Sequence, residues 1–107
     1  MKKIFAVVVF ALLVVGCSVE YTYEVSGDAS SALISYTNES GSISQETKAS
    51  IPWKKSFSGY SGDAVTVSAQ NNGEAGNIVV EIYKKGELFK RGESVGAYGI
   101  ATAGGSL

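Results

Sequence analysis

The chain has 107 residues, with nine basic and ten acidic side chains, one cysteine and no histidine. Its lysines lie singly or in isolated pairs, which excludes the basic stripe typical of nucleic-acid binding. The lack of histidine removes the commonest general base and metal ligand, so we predict no catalytic residue, no metal site and no cofactor.

The first element is the stretch MKKIFAVVVFALLVVG. Lys2 and Lys3 precede a continuous apolar run over residues 4–15, and the small Gly16 ends it, which is the layout of a secretory signal peptide. The run is shorter than the roughly 20 apolar residues of a membrane-spanning helix. We therefore predict that residues 1–16 are a signal peptide that is cleaved.

The only cysteine, Cys17, follows directly. Val14-Val15-Gly16-Cys17 resembles the bacterial lipobox, which implies cleavage after Gly16 and a diacylglyceryl group on the Cys17 sulfur. Two or more acyl chains give stable attachment where one anchors weakly. The alternatives are a secreted protein with an incidental cysteine and an uncleaved signal anchor. Cys17 is thus the predicted lipidation site, and the N-terminal lipid makes the membrane a partner.

The predicted location is the exported side of the bacterial cell envelope. Ser18 follows Cys17, where aspartate often signals retention at an inner membrane. Delivery to an outer membrane is therefore the expectation in a host that has one.

Residues 17–107 are predicted to form one β-sandwich domain. Apolar and polar residues alternate without a break over residues 19–25, which is typical of a strand with one buried face. Further strands are predicted over residues 32–37, 51–57, 65–69, 78–83, from Leu88 onward, and 97–103 before a loose tail. The polar residues 43–49 are interpreted as an edge strand or a long connection. Turn residues separate them, so the pattern indicates an all-β sandwich or small barrel of about seven antiparallel strands, with an eighth left open.

Several short motifs occur together in order along this domain. They are Tyr23-Glu24-Val25-Ser26-Gly27, Ile34-Ser35-Tyr36-Thr37-Asn38, Ile51-Pro52-Trp53-Lys54-Lys55, Val67-Ser68-Ala69-Gln70-Asn71, Gly86-Glu87 and Gly96-Ala97-Tyr98. Over about residues 19–103 they resemble the MmpS family of small mycobacterial membrane proteins. The resemblance implies an immunoglobulin-like β-sandwich outside the cytoplasmic membrane. It also implies a non-enzymatic accessory of MmpL transporters, resistance-nodulation-division (RND) pumps that export lipids and siderophores.

Two features depart from that family. Its members usually keep an uncleaved N-terminal helix, where this chain has the lipobox-like segment. Many also hold a cysteine pair, and the matching positions near Val80 and residues 101–103 hold no cysteine. We expect a lipid-anchored accessory or interaction module that supports an RND-type exporter. The alternative is a periplasmic or surface module that binds glycan, lipid or peptide.

Three neighbouring residues, Trp53, Lys54 and Lys55, form the predicted partner surface. The favoured interpretation of Trp53 alone is a core residue that packs against the opposite sheet. For the six tyrosines, rings half-buried along strands are favoured over an aromatic binding face. Asp28 and Asp63 are interpreted as turn residues in preference to calcium ligands.

Overall fold

The computed structural model describes residues 18–107. The predicted signal peptide at residues 1–16 and the predicted lipid site at Cys17 lie outside the described residues. The described chain forms eight strands: β1 (Ser18–Ser26), β2 (Ser31–Thr37), β3 (Ile43–Ser50), β4 (Trp53–Tyr60), β5 (Ala64–Asn71), β6 (Asn77–Lys84), β7 (Glu87–Val95) and β8 (Ile100–Ser106). Over this range, no helix is long and apolar enough to cross a membrane.

The strands form two four-stranded sheets, in the orders β4-β1-β6-β7 and β3-β2-β5-β8. Every strand pair is antiparallel. The predicted all-β sandwich is confirmed, with eight strands in place of about seven. The polar residues 43–49 belong to β3, an edge strand, and not to a long connection. Immunoglobulin constant domains have the orders A-B-E-D and C-F-G. The likeness to that fold therefore lies in the two packed layers, while the strand order differs.

The core lies between the sheets and is built from alternate strand positions. In β1 the inward-facing Val19, Tyr21, Tyr23 and Val25 are all buried, as the period-two pattern predicts. The other large buried side chains come from β2, β5 and β6, and are Ile34, Tyr36, Val65, Val67, Ile78, Val80 and Ile82. Full burial of one such aliphatic side chain contributes about 1.5–3 kcal/mol. Packing therefore supplies the main stabilisation of the domain.

The strand register gives the sandwich two distinct ends. Ser18 is opposite Tyr60, Thr37 opposite Ile43, Ala64 opposite Ser106, and Lys84 opposite Glu87. We call this the N-terminal end, and it carries the loops at residues 38–42, 61–63 and 85–86 together with Leu107. The far end carries the loops at residues 27–30, 51–52, 72–76 and 96–99. Because β1 starts at the N-terminal end, Ser18, the first described residue, lies there.

The C-terminal strand and tail differ from the prediction. The last strand covers Ile100–Ser106 in place of residues 97–103. Tyr98 has a φ of 54°, and its backbone N–H donates to the Gly73 carbonyl at 3.1 Å, so this position belongs to a turn. The tail is also ordered, because Leu107 is buried and its N–H donates to the Asp63 carbonyl at 2.9 Å.

Tyr83 is half-buried, as expected of all six tyrosines, but the other five depart from that expectation in two groups. Tyr21, Tyr23 and Tyr36 are buried, whereas Tyr60 and Tyr98 are more than half exposed. The Tyr23 hydroxyl does not reach solvent, because it donates to the Thr37 carbonyl at 2.7 Å. Alternation predicted that these three rings face inward, but it carried no information on how deeply the second sheet covers them.

We predict that Tyr23 makes the fold sensitive to alkali. Burial raises the pKa of Tyr23 above the ordinary tyrosine value. Its contribution to stability is therefore complete below the unfolded pKa of about 10 and is lost as the pH rises through the higher folded pKa. We expect Tyr23→Phe to flatten the decline of the free energy of unfolding above about pH 10, measured by urea titration at a series of pH values.

The exposed Tyr60 supplies the control for that experiment. Tyr60→Phe removes the same hydroxyl from a residue that is 56% exposed, so this variant should keep the stability of wild type. At neutral pH, Tyr23→Phe should lose about 0.5–1.5 kcal/mol with the hydrogen bond to Thr37. A Tyr23→Phe profile parallel to the wild type above pH 10 would contradict the assignment.

Candidate functional site

The two sides of the sandwich are closed differently. At one side, β7 and β8 come so close that a Cβ on Gly92 would overlap the Thr102 carbonyl. At the other side, β3 and β4 do not approach in this way. Side chains span that side instead: the Trp53 indole N–H donates to Glu46 Oε2 at 3.1 Å, and Lys55 Nζ lies 3.9 Å from the same oxygen. We call the residues along this side, Tyr36, Glu46, Trp53, Lys55 and Phe57, the open seam.

Aromatic rings line the open seam in a continuous row. The ring centroid of Tyr36 is 5.3 Å from that of Trp53 and 5.8 Å from that of Phe57. Phe57 in turn stacks on Tyr21, with centroids 5.6 Å apart and an interplanar angle of 29°. Such offset and tilted pairs add to the stabilisation from burial. The row therefore runs from the core to the seam: Tyr21 and Tyr36 are buried, and Trp53 and Phe57 of β4 are partly exposed.

Trp53 has both a core role and an exposed face. Its ring packs against Tyr36 of the opposite sheet, as the core interpretation expects, but the residue is only partly buried. Its polar N–H is directed to Glu46 at the rim of the seam. This arrangement is common for tryptophan at binding surfaces, where one part of the ring is apolar and the other is wet.

Strand alternation separates the two predicted lysines. Lys54 lies on the outer face of its sheet, with Nζ 3.9 Å from Glu24 Oε2. Lys55 lies on the seam, with Nζ 5.6 Å from the Tyr36 ring centroid. A hydrogen bond with Tyr36 raises the pKa of Lys55, so this ammonium stays charged well into alkaline solution. The structure thus places Trp53 and Lys55 together and Lys54 apart from them.

Two shallow cavities continue the seam toward the N-terminal end. One has a volume of about 340 Å³ and is lined by Tyr21, the loop of residues 37–41 and residues 63–65. The other has a volume of about 290 Å³ and lies along the β1 and β4 backbones near Thr22 and Phe57. Both include Tyr21 and Glu39. Burial, followed by the charges of Glu39 and Asp63, raises the pKa of Tyr21.

Asp28 and Asp63 hold connections in place, as the turn interpretation expects. Asp63 Oδ2 accepts a hydrogen bond from the Tyr60 N–H at 2.9 Å. Asp28 and Asn77 exchange hydrogen bonds: each side-chain oxygen accepts from the other backbone N–H, at 2.6 and 2.9 Å. Among residues 18–107, no three histidine, cysteine, aspartate or glutamate side chains are grouped in a way that could hold a metal ion.

The open seam brings together the Trp53 ring, the Lys55 ammonium group and the Glu46 carboxylate. These groups can bind a partner by stacking, by hydrogen bonds and by charge. Sequence reasoning found Trp53 and Lys55 but missed Glu46 and Tyr36 as their partners. These residues lie on β3 and β2, and only the packing of two sheets brings them to β4. The chain matches no protein-family model and no curated protein.

Proposed function

We propose that the protein is a non-enzymatic, lipid-anchored module of the bacterial cell envelope that docks on another envelope component. The N-terminal segment supports export and lipidation at Cys17, by its lysines, its apolar run and its lipobox-like sequence. The motif resemblance to MmpS proteins suggests the partner, an RND-type exporter. The sandwich supplies a rigid body, and the open seam supplies the contact surface.

One observation carries this proposal: β1 starts at Ser18, directly after the predicted lipid site. Consecutive Cα atoms are about 3.8 Å apart, so a lipid on Cys17 would be attached to the folded domain with no flexible linker. Such an arrangement fixes the height of the domain above the membrane. A fixed height suits an accessory that must meet the surface of a membrane-embedded complex.

The open seam is the docking surface in this proposal. Its flanking strands β3 and β4 are sheet edges, and an edge strand presents backbone groups that can pair with a partner strand. Trp53 and Lys55 add an aromatic face and a charge, the kinds of side chain that often anchor protein interfaces or orient them. Charged residues on β3 and β4 also discourage unspecific pairing of these edges.

A second candidate function rests on the cavity at the N-terminal end of the seam. Its volume of about 340 Å³ is at the small end of the range for ligand pockets, about 300–1,000 Å³. Serine, asparagine and glutamate side chains line it beside the Tyr21 ring. A binding module for glycan, lipid or peptide would use this cavity without needing a fixed protein partner.

Metabolic labelling tests the anchor. Cells that express the protein are grown with an alkyne-bearing fatty acid, and the purified protein is assayed for the label. We expect wild type to carry the label and Cys17→Ser to lose it completely, because a serine hydroxyl cannot form the thioether. Trp53→Phe leaves the N-terminal segment intact and should be labelled like wild type. Equal labelling of wild type and Cys17→Ser would overturn the proposed anchor.

Two adjacent lysines provide a matched test of the docking surface. We expect Lys55→Glu to reduce co-purification of a multi-span exporter several-fold, because it reverses the charge beside Trp53 and repels Glu46. Lys54→Glu makes the same chemical change on the outer face and should retain most of the binding. Quantitative mass spectrometry after cross-linking in cells measures both. Equal loss in the two variants, or no exporter in any sample, would contradict docking through the seam.

A further inference from the structure

The exposed large apolar side chains of the described residues lie at the two ends of the sandwich. Three of them, Ile43, Tyr60 and Leu88, are at the N-terminal end and are 52–64% exposed. They come from β3, β4 and β7, which are edge strands of both sheets. Tyr60 is opposite Ser18, whereas Leu88 pairs with Tyr83, which is opposite Thr22. Leu88 therefore lies about 13 Å further from the start of β1 than Tyr60 does.

Resting on the proposed lipid anchor, we propose that Ile43 and Tyr60 insert into the interfacial layer of the lipid bilayer, whereas Leu88 stays above it. The N-terminal end would then lie directly on the membrane. The partner of these exposed apolar side chains is the membrane itself. The predicted lipid-bearing residue directly precedes Ser18, which lies at the same end.

Backbone distances bring Tyr60 close to the predicted lipid in an upright domain. Tyr60 is paired directly with Ser18, and residues opposite each other in an antiparallel pair have Cα atoms about 4.5–5.5 Å apart. Adding the Cα spacing of about 3.8 Å places the Tyr60 backbone within about 10 Å of Cys17. The polar layer on each side of a bilayer is about 5–8 Å deep. The Tyr60 side chain therefore reaches the headgroups.

The residue types at this end suit the interface. Tyrosine is enriched at the membrane–water boundary, where its ring lies among the headgroups and its hydroxyl stays hydrated. Isoleucine gains free energy when its exposed surface leaves water. Lys85 stands in the turn at the same end, but Glu39 and Asp63 lie there too. Apolar contact, more than charge, therefore holds the end against the membrane.

The far end provides an internal control. It exposes a second apolar set, Val95, Tyr98 and Ile100. The nine residues of β1 rise about 3.3 Å each, so Ser26 lies about 26 Å from Ser18. In an upright domain the far-end set is beyond the headgroup layer and faces away from the membrane.

Fluorescence quenching tests the proposal on the full lipidated protein. Trp53, the only tryptophan, is first replaced by W53F, and Y60W, L88W or V95W is then introduced singly. Each protein is reconstituted in phosphatidylcholine vesicles with or without brominated acyl chains. We expect at least about twofold loss of emission for Y60W, because interfacial groups sit about 5–10 Å into the headgroup and acyl boundary. L88W should lose less, because Leu88 pairs with Tyr83 and stands further from the start of β1. V95W should keep its emission.

The possible results distinguish a failure of membrane insertion from a failure of the lipid anchor. If the protein floats with the vesicles but Y60W is not quenched, the N-terminal end does not insert and the inference is wrong, while the anchor stands. Quenching of all three variants would mean a domain lying on its side and would also overturn the upright arrangement. A protein that does not float with the vesicles would overturn the anchor itself.

Discussion

Tyr23→Ala is expected to lower the free energy of unfolding by about 3–5 kcal/mol, the range for removing a large aromatic side chain from a core. Tyr23 is fully buried, and its ring contacts Tyr21, Tyr36 and Phe57 at centroid distances of 5.5–5.9 Å. It joins the first sheet to the second, because β1 carries Tyr23 and β2 carries Tyr36. Alanine would leave a cavity where these rings meet and would also remove the hydrogen bond to Thr37.

Thermal unfolding of the mature protein in detergent, followed by circular dichroism, measures this effect. Each kcal/mol corresponds to about 4–8 °C of Tm in a domain of 60–100 residues, so Tyr23→Ala should melt far below wild type or fail to fold. Tyr60→Ala removes a similar side chain from the surface and should change the free energy of unfolding by less than about 0.5 kcal/mol. A Tm for Tyr23→Ala within a few degrees of wild type would contradict the described core.

Gly92→Ala is expected to have the second-largest effect. A Cβ at this position would overlap the backbone carbonyl of Thr102, because β7 and β8 approach closely at the closed side of the sandwich. Backbone atoms cannot rotate away as a flexible side chain can. The strands must therefore separate, at a cost of about 1–3 kcal/mol, which is typical of overpacking, or somewhat more.

Urea unfolding of Gly92→Ala against Val95→Ala checks this prediction. Val95 lies on the same strand but is 78% exposed, so its truncation should be nearly neutral. The difference between the two variants then reports the closed side of the sandwich. If both are equally stable, β7 and β8 are not as close as described.

Strand alternation predicted the regular parts of the fold well. Every inward position of β1, from Val19 to Val25, is buried, and the polar residues 43–49 form the greater part of an edge strand. Local pattern works in these places because side chains of a strand point to opposite faces at successive positions. The sandwich itself follows, since an apolar face on each sheet requires a second sheet to cover it.

Features that depend on contacts between distant residues were not predicted. The depth of Tyr36, the approach of Gly92 to Thr102 and the hydrogen bond from Trp53 to Glu46 all join different sheets or hairpins. The ordered position of Leu107 has the same cause, because its backbone bonds to the turn at Asp63. For the candidate site, the sequence therefore predicted the residues on β4 but not the partners that complete the seam.

The resemblance to MmpS proteins stays a prediction. Two positions bear on it: Val80 is fully buried and Ala101 nearly so, on strands β6 and β8. Many family members hold cysteines near these positions, and here aliphatic side chains occupy them. The only cysteine of the chain is the predicted lipid site.

Intact mass spectrometry of the protein purified from bacterial membranes is the most direct measurement of how the chain is anchored. The expected product begins at Cys17, lacks residues 1–16 and carries a diacylglyceryl group, with or without a further acyl chain on its new amine. Recovery of a chain with a free Cys17 thiol, whether it still has its N-terminal segment or has been cut elsewhere, would contradict the lipid anchor.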